Sequence, residues 1–134
     1  VSILISSSCS NIDNIIEFSE GNENVNLFID EDNVAGLIVD CDLAIASLGG
    51  SAWERCSLGL PTLGIIIADN QESIAKGLER IGAVKIIDNT GGVKNFINDI
   101  KNDFKIWEDM SNKSFSACEG DGANLVISNV LGLL

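Results

Sequence analysis

The feature that most constrains the fold is the segment that begins Ile45-Ala46-Ser47-Leu48-Gly49-Gly50-Ser51 and runs on to Gly59-Leu60-Pro61. An apolar strand runs into two glycines, a helix opens on a serine, and glycine and proline stop it just before the next apolar run, residues 62–68. Strand, tight loop, helix and strand in succession form the unit of a parallel sheet with helical crossovers. Two glycines at a strand's carboxyl end let backbone N–H groups approach an anion closely, and the helix start adds the positive end of its dipole. In an open α/β sheet, this edge is a common place to bind a nucleotide diphosphate.

The rest of the chain alternates in the same way. Residues 2–6 are a short β-rich run. Asn11 is placed to cap a helix carrying Ile12, Ile15, Ile16 and Ser19 on one side, with Gly21 as its stop. Residues 25–29 read as a strand, and Asp30-Glu31-Asp32 turns the chain. Val34, Leu37, Ile38 and Cys41 fall at helical spacing, the strand at 43–46 feeds the glycines, and 51–58 is the helix after them. Residues 62–67 are nearly all apolar, as a central parallel strand buried on both faces should be.

Residues 70–81 make the clearest amphipathic helix, with Ile74, Leu78 and Ile81 inward, and 84–87 come next as a strand. Beyond Asp88 the strands stop. Val93, Phe96, Ile97, Ile100 and Phe104 mark one helix, Trp107 with Met110 a second. After the breaker Gly120-Asp121-Gly122, residues Val126, Ile127, Val130, Leu131 and Leu134 mark a terminal helix. The fold class expected is α/β: a Rossmann-like parallel sheet flanked by helices, with a helical C-terminal end. The 134 residues suit a single domain.

Composition narrows the function. An apolar fraction of 46% argues for a buried interior and against disorder. Eight basic against 20 acidic residues give a net charge of -12, which argues against nucleic acid, whose phosphates need clustered lysine and arginine. Any diphosphate must therefore be held by local backbone donors, since the global field repels it. Cys9, Cys41, Cys56 and Cys118 form no C-x-x-C pair and the chain has no histidine, so no metal site is expected. Free buried thiols fit a cytoplasmic location. No apolar run approaches the roughly 20 residues that span a bilayer. The start at Val1 lacks a basic stretch and reads as a domain boundary.

The segment from Asp42 to Pro61, with Gly49-Gly50-Ser51, Trp53-Glu54 and Gly59-Leu60-Pro61, is followed by Ala68-Asp69-Asn70-Gln71. Together they resemble the C-terminal half of the pseudaminic-acid pathway's UDP-sugar hydrolases, which group with the spore-coat polysaccharide protein family. The resemblance implies the C-terminal half of a glycosyltransferase B fold, in which a Rossmann-like domain holds UDP. Ile5 to Ile12, Phe28-Ile29-Asp30 and Gly120-Asp121-Gly122-Ala123 resemble other parts of that domain. The family's first strand of this domain, with its own glycine loop, and its whole N-terminal domain have no counterpart here, so the chain is expected to be part of a larger protein.

Each candidate residue carries two readings. Gly49 and Gly50 bring amides to the diphosphate and Ser51 adds a hydroxyl, or the three form an ordinary strand-to-helix turn. By resemblance, Glu54 accepts the ribose hydroxyls; by spacing, Ser51-x-x-Glu54 is also a capping box. Asn70 and Gln71 face the sugar or diphosphate, or Asn70 caps a helix and Gln71 is solvated. Phe28 and Ile29 offer backbone groups to the uracil edge by resemblance only, and otherwise end a strand. Ser7 and Ser8 border the sugar pocket or satisfy local backbone. Trp53 reads as a helix–sheet packing residue and Cys56 as core.

No catalytic residue and no cofactor are expected in this chain. Hydrolysis of a UDP-sugar needs a general base, and in the resembling hydrolases it comes from the N-terminal half. The partners expected are a UDP-sugar, that missing domain, and a second copy if an exposed sheet edge pairs. The activity expected of the whole protein is UDP-sugar hydrolysis in nonulosonic acid synthesis. The alternatives are a glycosyltransferase half, or a non-catalytic module fused to an acylneuraminate (CMP-sugar) cytidylyltransferase.

Overall fold

A computed structural model describes residues 1–132. The chain falls into two compact units, the first ending at Leu37 and the second beginning at Ile38.

The first unit opens with β1 (Ser2–Ile5), continues through α1 (Ile12–Glu20) and returns in β2 (Asn26–Ile29). The two strands pair in parallel, with Ile5 opposite Ile29. Asn11 does not cap α1 as its position suggested. Its side chain instead accepts from the Asn14 amide, and no side chain caps the helix. α2 (Val34–Val39) carries the chain into the second unit.

The second unit is a three-stranded parallel sheet in the order β3 (Ala44–Ser47), β4 (Thr62–Ile65), β5 (Val84–Ile86). Between the strands run α3 (Ser51–Ser57) and α4 (Glu72–Arg80), the latter preceded by a 3-10 turn at Asp69–Gln71. After β5 come α5 (Thr90–Asn102), α6 (Lys105–Ala117) and α7 (Gly122–Val130). The central strand is β4, as its apolar run required, with Thr62, Leu63 and Gly64 buried, but it is shorter than that run, and Ile65 at its end and Ile67 beyond it are exposed.

Period-two alternation splits the core in two. On one face Leu48 packs with Ala52, Cys56, Ala75, Leu78, Ala83 and Val84 from α3, α4 and the β5 strand region. On the other, Leu63 packs with Ile87, Phe96 and Met110. Each fully buried leucine contributes about 1.5–3 kcal/mol relative to exposure.

Helices α3 and α4 end alike. Gly59 (φ 68°) and Gly82 (φ 77°) take the left-handed conformation. Their amides bond back to Cys56 and Glu79, and those of Leu60 and Ala83 to Arg55 and Leu78. This double closure reverses the chain into β4 and β5 with the last carbonyls satisfied.

Apolar residues depart from the expected helical packing at three places. Ile81 is 46% exposed, because the glycine closure at Gly82 turns it out of the α4 stripe. Phe104 does not end α5 but precedes α6, where its ring stacks on Trp107 at 5.2 Å. The terminal helix forms, yet Leu125, Val126, Ile127, Val130 and Leu131 are all exposed. Leu134 lies outside the described residues. No helix among the described residues is long and apolar enough to cross a membrane.

Candidate functional site

Helix α6 determines which edge of the three-stranded sheet is free. Trp107, Ser111 and Ser114 recur at i, i+4 and i+7 and so share a helix face. Trp107 Nε1 donates to the Asp42 carbonyl at 2.6 Å, Ser111 Oγ to Gly59 at 2.7 Å and Ser114 Oγ to Ala83 at 2.6 Å. Asp42, Gly59 and Ala83 stand shortly before β3, β4 and β5. One helix thus ties down the amino edge of all three strands. The carboxyl edge carries the glycine loop, the Asp69–Gln71 turn and the Asn89-Thr90 start of α5.

The glycine loop is open. Leu48 anchors it from below, fully buried, while Gly50 and Ser51 are exposed. A β-carbon placed on Gly50 would meet nothing within 4 Å. Among the described residues, the backbone N–H groups of Gly49, Gly50 and Ser51 find no acceptor in the chain. These are the unsatisfied donors that a helix start leaves.

Gln71 joins them. Its Oε1 accepts from the Ile67 amide at 3.2 Å, which fixes the carboxamide and turns Nε2 toward the loop. A β-carbon on Gly49 would lie 3.6 Å from that nitrogen. Gln71 is therefore half-buried and engaged, not solvated. Asn70 is exposed within the 3-10 turn and does not cap α4. Gln71 holds the cap position, without a side-chain capping bond.

The capping box is not formed. The cap residue of α3 is Gly50, in helical conformation (φ -55°), and no side chain caps the helix. Ser51 sits one place further in, and its Oγ accepts from Arg55 Nη1 at 3.1 Å. Glu54 is exposed, and among the described residues its carboxylate makes no hydrogen bond or ion pair within the chain.

The residue that packing considerations passed over is Arg55. With Ala52 and Cys56 it occupies the buried side of α3, where it is 8% exposed. Spacing gave the signal: 52, 55 and 56 obey the i, i+3, i+4 rule. Arg55 Nη2 donates to the Ser47 carbonyl at 2.7 Å, and Nε has no partner. Desolvation lowers the guanidinium's pKa, partly offset by neighbouring Cys56 and Glu54.

Cys56 is core, as expected, and burial pushes its thiol up, the opposite of a nucleophile. Trp53 does not pack helix to sheet. It is 40% exposed, and the packing positions are Ala52, Arg55 and Cys56.

In the first unit, Phe28 and Ile29 end β2, with Phe28 half-buried and Ile29 exposed. Ser7 and Ser8 lie in the loop after β1. Ser7 N–H donates to Asp30 Oδ1 at 2.9 Å, Ser8 N–H donates to Ser6 Oγ at 3.2 Å, and the hydroxyls of Ser6 and Ser8 share a 2.9 Å bond. Asp30, at φ 50°, is the one non-glycine residue in the left-handed region among the described residues. The bonds from Ser7 hold its carboxyl below the usual 3.8.

A separate concavity of about 670 Å³ lies over the α5 side of the sheet, lined by Ile45, Ile65, Val93, Ile97, Lys94 and Lys101 among others. None of the glycine-loop residues line it.

No family model and no curated protein sequence matches this chain. Among solved structures the fold is similar to the crystal structure of the glycotransferase of kitacinnamycin, with a TM-score of 0.56 and 13% identity. The match covers 94% of this chain and 42% of that one, so the chain spans less than half the length of that neighbour. At that identity the likeness is one of fold: an α/β architecture of parallel strands flanked by helices and closing on a helix.

Proposed function

We propose that this chain is a nucleotide-sugar-binding domain that holds the diphosphate of a UDP-sugar at the glycine loop. In this reading residues 1–134 are one part of a larger protein, a UDP-sugar hydrolase of nonulosonic acid synthesis. The observation that carries it is the set of N–H groups at Gly49, Gly50 and Ser51, which among the described residues have no acceptor, in a loop whose Gly50 and Ser51 are exposed. Backbone donors of this kind hold phosphate oxygens without a net positive surface, which a chain of charge -12 requires.

Gln71 Nε2 adds a side-chain donor beside Gly49. Ser51 Oγ accepts from Arg55, so its own proton remains available to donate to the anion. Glu54, one helical turn on and without an internal partner, accepts the ribose hydroxyls. Asn70 faces the sugar. Phe28 and Ile29 at a strand end, and Ser7 and Ser8 in their loop, are assigned by resemblance to the uracil edge and the sugar.

Chemically, the amides stabilise negative charge on a departing diphosphate. Cys56 is excluded as nucleophile by burial, and the general base is assigned to the absent domain. The chain alone is accordingly expected to bind UDP and not to turn over a UDP-sugar.

Calorimetric titration with UDP and CMP, on the natural chain and on Glu54→Ala, tests this. UDP should bind in preference to CMP, and loss of Glu54 should weaken UDP by about 1–3 kcal/mol, the scale of charge-assisted hydrogen bonds. Equal affinity of the two proteins for UDP would remove Glu54 from the site. No binding of UDP would overturn the nucleotide reading.

A further inference from the structure

A buried arginine on a short helix is a poor choice for packing alone. Burying a charge is costly unless it is paired, and replacing such a group by an apolar side chain is often neutral or stabilising. Arg55 is 8% exposed, and of the eight basic residues it is the one that is buried. The ion pairs among the described residues are Lys76–Glu72 and Lys85–Asp99, so no carboxylate among them forms an ion pair with it, and Glu54 offsets its burial only in part.

Both of its hydrogen bonds go to the glycine loop. Nη2 holds the Ser47 carbonyl at the end of β3, and Nη1 holds Ser51 Oγ at the first position of α3. Residues 48–50 are spanned between those two anchors. Nε remains buried and without a partner.

We infer that Arg55 is the positioning residue of the anion site: it clamps the two ends of the glycine loop that carries the free amides, and a bound diphosphate supplies the close counterion that its buried charge lacks. The inference rests on the nucleotide reading and deepens it by naming what makes the loop competent in a strongly acidic chain. Ser51 is oriented by the same contact, and its donor proton is directed away from the guanidinium. In this reading the arginine serves the ligand, and an apolar side chain of similar length would fill its place in the ligand-free core.

The test is titration of the natural protein, Arg55→Met and Arg55→Lys with inorganic pyrophosphate and with UDP, alongside thermal unfolding of each without ligand. Arg55→Met should unfold at the natural temperature or higher and lose at least tenfold in affinity for both ligands. Arg55→Lys, which keeps a charge but cannot bridge both ends, should fall between. A merely structural arginine gives the reverse pattern, lowered stability with affinity kept, and that result would overturn the inference. If Arg55→Met does not fold, Arg55→Lys decides: natural affinity overturns the inference and reduced affinity upholds it.

UDP binding that is indifferent to both variants removes Arg55 and leaves the nucleotide reading standing. Arg55-dependent pyrophosphate binding without UDP binding does the converse. A natural protein that binds neither overturns both.

Discussion

Glu54 and Gly50 lie four positions apart and would bear on the proposed ligand in different ways. Glu54 is four places beyond the cap residue, beyond the N3 position from which a capping-box carboxylate reaches back, so its oxygens are not engaged at the helix start. Gly50 matters for what it lacks: its backbone conformation, φ -55° and ψ -38°, is open to any residue, and nothing surrounds it. A fold-driven glycine would show a left-handed φ or a close neighbour, as Gly59 does with Ser111. Gly50→Ala should accordingly leave stability within about 0.5 kcal/mol, the range of ordinary surface substitutions, while the added methyl obstructs an approaching phosphate and lowers UDP affinity severalfold. Paired melting and titration curves check it, and unchanged affinity would mean that no ligand approaches Gly50. The glycine pair was legible in the sequence. The failure of the capping box was not, because a one-residue shift of the cap is decided by backbone geometry and by the competing pull of Arg55 on Ser51.

At the scale of elements, the loop rides on the contact between β3 and β4. Gly64 lies opposite Ala46, and a β-carbon there would overlap the side chain of Leu48, the residue that precedes the glycines. Gly64→Ala should therefore destabilise the second unit by about 1–3 kcal/mol, the usual cost of overpacking, as read by urea unfolding. It should also weaken UDP, because Leu48 cannot move without moving Gly49. A fully stable variant with displaced loop resonances would contradict the coupling. Strand and helix order came readily from the sequence, since the continuous apolar run of β4 and the 3.6-residue stripe of α4 are both strong. The misplacements sit where a terminus intervenes: Ile81 at a glycine closure, and Phe104 between two helices that share one apolar pattern. For α7 the apolar positions were legible, but a pattern of apolar residues marks a face without saying what covers it.

For the whole molecule the governing quantity is charge. A net -12 repels a diphosphate at distance, while the amides, Gln71 and the buried Arg55 of the proposed site would act only at short range. Raising ionic strength from about 10 mM to about 1 M shortens the screening length from roughly 30 to 3 Å, so UDP affinity should hold or rise modestly. A steep fall would instead place the ligand on exposed lysines such as Lys94 and Lys101 of the α5 concavity. Arg55 was the least legible part of the site, since net charge and composition cannot show which one of eight basic residues is buried, although the spacing of 52, 55 and 56 contained the clue.

The most direct test of the central claim is a titration of the isotope-labelled protein with UDP, monitored through its assigned amide resonances. Gly49, Gly50, Ser51 and the Gln71 side-chain amide should shift together, saturating at one dissociation constant. Saturable shifts confined to residues around Val93 and Ile97, with the glycine loop unmoved, would contradict it.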